Sequence, residues 1–130
     1  MSEGSRANDK KVVLVADDER VVRDLLQRVL TEAGYEVVLA ETGEQAVECS
    51  RTVRLDLVLL DIKMPGMGGV SALRELVKQV PPTHIIMLTA INDPQVAEAA
   101  LALGALDYLT KPIDLGTLKK IIQTHLVFAA

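Results

Sequence analysis

The stretch Leu57-Val58-Leu59-Leu60-Asp61-Ile62-Lys63-Met64-Pro65-Gly66-Met67-Gly68-Gly69 decides how this chain is read. Four consecutive aliphatic residues suit a strand buried on both faces. Pro65, Gly66 and Gly68 then prevent any regular element from continuing. Asp61 therefore stands at the carboxyl end of a buried strand, facing a forced loop. The pattern recurs on either side. Val12-Val13-Leu14-Val15-Ala16 runs into Asp17-Asp18-Glu19, Ile85-Ile86-Met87-Leu88 ends on Thr89, and Leu106-Asp107-Tyr108-Leu109-Thr110 ends on Lys111-Pro112. Acid, acid, hydroxyl and amine are delivered to strand ends, and in open parallel sheets ligands bind at that edge.

Between these strands the periodicity changes to that of helices. A strand at Val12 to Ala16 precedes a helix from about Glu19 to Ala33, with Val21, Val22, Leu25, Leu26, Val29 and Leu30 as an apolar stripe and Gly34 as its stop. Tyr35 to Ala40 reads as the second strand. Thr42-Gly43-Glu44-Gln45 reads as a capping box opening a helix to about Thr52. The third strand is Leu55 to Leu60, followed by a helix from about Gly69 to Val80 that Pro81 and Pro82 stop. Ile85 to Leu88 is the fourth strand. Asp93 as N-cap and Pro94 in the first turn start an alanine-rich helix to Leu103. After Gly104 the fifth strand covers Ala105 to Leu109, and Asp114 caps a last helix carrying Leu118, Ile121, Ile122 and Leu126. Strands alternating with helices give an α/β fold, a parallel sheet covered on both faces.

At 130 residues, 49% hydrophobic and 25% charged, the chain makes one domain with a real core. Aromatics are only 2%, so aliphatic packing carries its stability. A net charge of -4 and the lack of any Lys or Arg run speak against a nucleic-acid surface. The single cysteine, Cys49, allows no disulfide within the chain and reads as a small helix hydrophobe. No membrane-spanning stretch or signal peptide is legible, so a cytoplasmic location is expected. Residues 1–10 read as a flexible tail, 11–126 as the domain, and 127–130 as its end or the start of a linker to an effector.

The strand ends carry the chemistry. Clustered carboxylates at Asp17, Asp18 and Asp61 repel one another unless a cation neutralises them. Mg²⁺ suits such a site because it needs only one or two direct carboxylates and completes its shell with water. A carboxylate such as Asp61 can attack phosphorus to form an aspartyl-phosphate. Lys111 supplies a mobile positive charge and Thr89 a hydroxyl donor. Taken singly, an Asp after a strand is often a turn residue and a Thr in a strand is often satisfied locally. The convergence of Asp17, Asp18, Asp61 and Lys111 argues against that reading. Glu19 reads as a first-turn acid favouring the helix dipole, Met64 and Met67 as loop packing, and His84 and His125 as surface or capping residues.

Asp17-Asp18, Asp61 with Met64-Pro65-Gly66-Met67-Gly68-Gly69, Leu88-Thr89-Ala90 and Asp107-Tyr108-Leu109-Thr110-Lys111-Pro112, in that order, resemble the receiver domain of bacterial two-component response regulators from Lys11 to His125. The resemblance implies a flavodoxin-like (βα)₅ doubly wound sheet of strand order 2-1-3-4-5. It implies that Asp61 accepts a phosphoryl group from the phosphohistidine of a sensor histidine kinase or phosphotransfer protein. By the same resemblance, Asp18, Asp61 and the Lys63 carbonyl ligate Mg²⁺ and Asp17 acts through water. Lys111 and Thr89 assist the transfer, Thr89 and Tyr108 form the switch pair, and the Lys111-Pro112 peptide is cis. Lys63 and Ile91, two positions beyond the acceptor and the switch Thr, tune the lifetime of the phosphoryl group. A downstream target or fused effector domain is the expected output, with a phosphorylation-dependent homodimer as one form and with no direct binding of nucleic acid or membrane.

Two other readings compete. A haloacid-dehalogenase-like hydrolase would also use an aspartyl-phosphate, but it places a second Asp two residues after the nucleophile, where this chain has Lys63. A flavin-binding domain of the same fold would need a hydroxyl- and glycine-rich loop after the first strand, where Asp17-Asp18-Glu19 would repel a phosphate.

Overall fold

The computed structural model describes residues 10–79, 84–90 and 94–129, with side chains to residue 126. Its strands are β1 (Val12–Ala16), β2 (Glu36–Ala40), β3 (Leu57–Asp61), β4 (Ile85–Ala90) and β5 (Asp107–Lys111). Its helices are α1 (Arg20–Glu32), α2 (Gly43–Thr52), α3 (Gly68–Leu76), α4 (Pro94–Leu103) and α5 (Leu115–Ala129). The strands form one parallel sheet in the order β2-β1-β3-β4-β5.

Alternation along the strands divides the core in two. Leu14, Val58, Leu60 and Met87 face one side, against Ala46 of α2, Leu73 and Leu76 of α3 and Ala100 of α4. Val15, Leu59, Leu88 and Leu109 face the other, against Leu26 and Leu30 of α1 and Leu118 and Ile122 of α5. The three central strands are buried almost throughout, which explains their unbroken aliphatic runs. Burial of each such side chain contributes about 1.5–3 kcal/mol, so aliphatic packing suffices without aromatic mass.

Local chemistry fixes the element ends. Helix α1 closes in a Schellman turn, with the Tyr35 amide donating to Leu30 O at 3.0 Å and the Gly34 amide to Thr31 O at 3.0 Å. Thr42 Oγ1 accepts from the Gln45 amide at 3.1 Å to cap α2. The return bond of a capping box shifts by one residue, since Gln45 Oε1 accepts from Glu41 N at 2.7 Å instead of from Thr42. Asp114 Oδ2 accepts from both the Thr117 amide and hydroxyl at 2.8 Å, which caps α5.

Several expected boundaries move. Strand β3 starts at Leu57, not Leu55, because the Asp56 carboxylate accepts from the Val12 amide at 2.8 Å and ends the ladder there. Strand β5 starts at Asp107, not Ala105, because the Ala105 amide is committed to Ala100 O at the end of α4. Helix α3 ends at Leu76, where Lys78 and Gln79 tighten into three-residue turns onto Glu75 and Leu76. Val21 does not join the core stripe of α1. It is 79% exposed, since it sits a helical step of about 100° from Val22, which packs inward. Asp93, Pro81, Pro82 and the tail before Lys10 lie outside the described residues. Among the described residues no helix is long and apolar enough to cross a membrane.

Candidate functional site

Two strand ends, those of β1 and β3, bring the acids together. Asp17 continues the β1 ladder, its amide donating to Ala40 O at 3.1 Å, and its carboxylate turns inward with no exposure. Asp17 Oδ1 accepts from the Glu19 amide at 2.9 Å, and Arg23 Nη1 donates to the Asp17 carbonyl at 2.9 Å. Asp61 is the last residue of β3, paired in register with Leu88, and its Oδ1 accepts from the Lys63 amide at 3.2 Å. The carboxylates of Asp17, Asp18 and Asp61 offer ligand atoms within 4.8 Å of one another, with Asp18 exposed and the other two buried.

Lys111, the last residue of β5, reaches into this cluster. Its Nζ lies 2.8 Å from Asp17 Oδ2, 3.4 Å from Asp61 Oδ2 and 3.2 Å from Glu19 Oε1. Burial works against the ammonium, but contact with Asp17, then Asp61 and Glu19, outweighs it and raises the Lys111 pKa. Burial first, and the Asp17 charge second, push the Asp61 carboxyl up to about 6; Lys111 and the Lys63 amide pull the other way. The contact of Lys111 with Asp17 Oδ2 is ionic at this distance, yet its angles do not make a hydrogen bond, so that buried oxygen lacks an aimed donor. Thr89 Oγ1 is the second buried polar atom without a partner among the described residues.

These two buried oxygens, one of them ion-paired to Lys111, define what the site fits. Four carboxylates, including Glu19, face one ammonium. Such an excess of negative charge, with Asp18 open to water, fits a hard divalent cation that keeps part of its hydration shell. With no partner among the described residues, Thr89 Oγ1 can donate to an oxygen entering the adjoining cleft. That cleft has a volume of ≈ 800 Å³, with Asp18, Asp61, Lys63, Thr89 and Lys111 on its polar side and Val22, Leu25, Pro112 and Ile113 among its apolar wall.

The Lys111–Pro112 peptide is cis. Thr89 and Tyr108 sit on one face of the sheet, because Thr89 pairs with Thr110 and Met87 with Tyr108. Tyr108 is 37% exposed on the edge strand. Ile91 lies outside the described residues. His125 Nε2 is 3.9 Å from Asp107 Oδ2, and neither histidine lines the cleft. Met64 is a buried core residue and Met67 packs against the same cluster. Glu19, read from the sequence as a helix-dipole acid, stands at the N-cap of α1 without a side-chain cap and is also a partner of Lys111. Nothing local signals that pairing, since the two residues are 92 positions apart.

A 2-1-3-4-5 parallel sheet with an acid trio and a lysine at its carboxyl edge defines a class of doubly wound α/β proteins that work on charged ligands at that edge. Comparison with known proteins narrows the class: the chain belongs to the response regulator receiver domains, whose family pattern matches residues 13–123. It is 38% identical over 127 residues to the transcriptional regulatory protein ZraR of Escherichia coli O157:H7, covering 94% of this chain and 29% of that one. The chain thus spans under a third of that regulator's length. Among solved structures, the receiver domain of Francisella response regulator 1452 matches with a TM-score of 0.85 at 29% identity, over 93% of this chain and 100% of that one. The receiver domain of the sensor histidine kinase PA1611 from Pseudomonas aeruginosa, described with a magnesium ion coordinated in its active-site cleft, matches with a TM-score of 0.80 at 33% identity, over 90% and 98%. The chain is therefore a receiver domain of two-component signalling. Mg²⁺ binding in an acidic pocket and phosphorylation on aspartate are general to its family.

Proposed function

We propose that Asp61 is the phosphoacceptor of this domain, taking the phosphoryl group of a phosphohistidine on a sensor kinase or phosphotransfer protein in a Mg²⁺-dependent step. A carboxylate oxygen of Asp61 attacks phosphorus, the O–P bond forms, the P–N bond breaks, and the imidazole leaves with its electron pair. Asp18, Asp61 and the Lys63 carbonyl would hold the cation, with Asp17 acting through water. When bound, the cation supplies positive charge against the phosphoryl oxygens. Lys111 then exchanges part of its contact with Asp17 and Asp61 for those oxygens, and Thr89 donates its hydroxyl. The domain promotes its own phosphorylation and a slow loss of the group, with no turnover of outside substrates.

One observation carries this reading: Asp61 is buried beside a second buried acid and an ammonium, yet opens onto a cleft. A residue serving only as a turn cap needs none of this. Incubation with acetyl phosphate and Mg²⁺ tests it. A single base-labile phosphoryl group should appear in the parent and be absent from Asp61→Asn. A modification undiminished in that variant would refute the assignment.

Phosphorylation would shift a population by favouring the conformation in which Thr89 meets the phosphoryl group. Tyr108, on the same sheet face, would move with it and reshape the surface of α4, β5 and α5. That surface would dock a target, a fused effector or a second receiver in the cytoplasm, without binding nucleic acid or membrane itself. Lys63, which lines the cleft, would shield the phosphoryl group together with Ile91, because neither is an acid or amide that orients water. The receiver unit would run from 11 to 126.

A further inference from the structure

The loop that leaves the acidic edge is braced on its far side by a residue of another helix. Its two ends are joined by the backbone, the Gly69 amide donating to Ile62 O at 2.9 Å. Its far end is gripped by Glu44, in the first turn of α2, whose Oε2 accepts from the Met67 amide at 3.1 Å across 23 residues. Met67 precedes α3 and provides no side-chain cap of its own, so Glu44 supplies the cap from outside and sets a negative charge at the start of α3. The fit is close on both sides. A Cβ at Gly66, whose φ is +79, would strike both Glu44 carboxylate oxygens, and one at Gly43 would approach Met67 Cγ at 2.6 Å and Gly68 O at 2.9 Å. Lys63 belongs to the loop so closed, and its amide donates to the Asp61 carboxylate.

We propose that Glu44 is a positioning residue of the metal site: by holding the Met67 amide it fixes the loop of residues 62–67, aims the Lys63 carbonyl, and sets the affinity for Mg²⁺. This rests on the reading that Asp61 and the Lys63 carbonyl are metal ligands. Glu44 touches neither the cation nor the phosphoryl group. It acts as the outer partners of metal ligands do, and loss of such a partner typically costs about tenfold or more in affinity.

The test uses the whole chain in four forms: parent, Glu44→Ala, Glu44→Gln and Glu48→Ala. Glu48→Ala is the control because Glu48 is exposed one turn further along the same helix and paired with Arg51 instead of with the loop. Mg²⁺ is titrated against the amide resonances of Asp18 and Asp61, and hydrogen exchange at Met67 and Gly69 is measured without metal. Glu44→Ala should weaken Mg²⁺ by about tenfold and speed exchange at Met67, while core amides of β1 and β3 exchange as in the parent. Glu44→Gln keeps an acceptor oxygen and should restore both properties; Glu48→Ala should match the parent. Gly66→Ala should weaken Mg²⁺ more in the parent than in Glu44→Ala, where the carboxylate is gone. A parent that binds Mg²⁺ alongside a Glu44→Ala variant that binds equally well overturns the positioning role alone. A parent showing no response to Mg²⁺ overturns the metal site and this role with it.

Discussion

The ammonium of Lys111 lies 2.8 Å from the fully buried Oδ2 of Asp17, joining the last residue of β5 to the acid that follows β1 across the sheet's carboxyl edge. Lys111 is the counter-ion that makes two buried carboxylates tolerable in the metal-free protein. Removing one partner of a buried pair leaves the other charge uncompensated. Lys111→Met should therefore destabilise the metal-free domain by on the order of 2–3 kcal/mol. Mg²⁺, as a replacement cation, should recover more stability in the variant than it adds to the parent. Urea unfolding with and without Mg²⁺ measures both; an equal increment in the two proteins would contradict this role of Lys111.

Asp61 makes stability depend on pH. Its carboxyl is pushed from 3.8 up to about 6, by burial first and Asp17 second. The folded state therefore holds this proton more tightly than the unfolded chain. The associated stability is fully present below the unfolded value and is lost as pH rises through about 6. Asp61→Asn removes the buried charge, so the metal-free variant should exceed the parent by about 2 kcal/mol near pH 8, a margin that fades below about pH 4. Mg²⁺ should narrow the margin from above, because it stabilises only the parent's carboxylate. Urea midpoints across this range decide it, and a margin that widens toward acid would overturn the assignment of the shift.

Much of this edge was legible in the sequence because its signals are local. An aliphatic run stopped by a polar residue and then by Pro or Gly needs no partner to be recognised, and four such runs fixed the placement of Asp17, Asp61, Thr89 and Lys111. What escaped depends on distant partners. The start of β3 moved because Asp56 captures the Val12 amide, 44 residues away. Glu19 pairs with a lysine 92 residues on, and Glu44 with an amide 23 residues on. The adjacency of Val21 and Val22 hid a helical step that turns one to solvent and the other inward.

Gly69 bears on both packing and chemistry. A Cβ there would run into the Asp61 carbonyl oxygen and the Ile62 backbone, which cannot yield as a flexible side chain could. Gly69→Ala should cost about 1–3 kcal/mol, the range for overpacking a tight site. It should also reduce labelling by acetyl phosphate, since the displaced backbone carries Asp61. Gly34→Ala, in a position with open space around it, is the comparison; it should lose stability through its backbone conformation but keep its labelling. Equal labelling of Gly69→Ala and the parent would separate this glycine from the site.

Thr89 and Tyr108 offer the clearest separation of stability from signalling. The Thr89 hydroxyl is buried with no partner among the described residues, so no described contact of the unphosphorylated protein depends on it. Replacing it by an isosteric methyl should leave that state unchanged or raise its stability by about 1 kcal/mol. The phosphorylated state should suffer, because an oxygen of the new group would lose its donor. Tyr108 lies diagonally from Thr89 on the same sheet face and is partly exposed, so its ring would report on the proposed movement. Thr89→Val should accept the phosphoryl group on Asp61 and yet lose the phosphorylation-induced change in the Tyr108 ring resonances. If the ring responds in Thr89→Val as it does in the parent, the two residues are not coupled through the phosphoryl group.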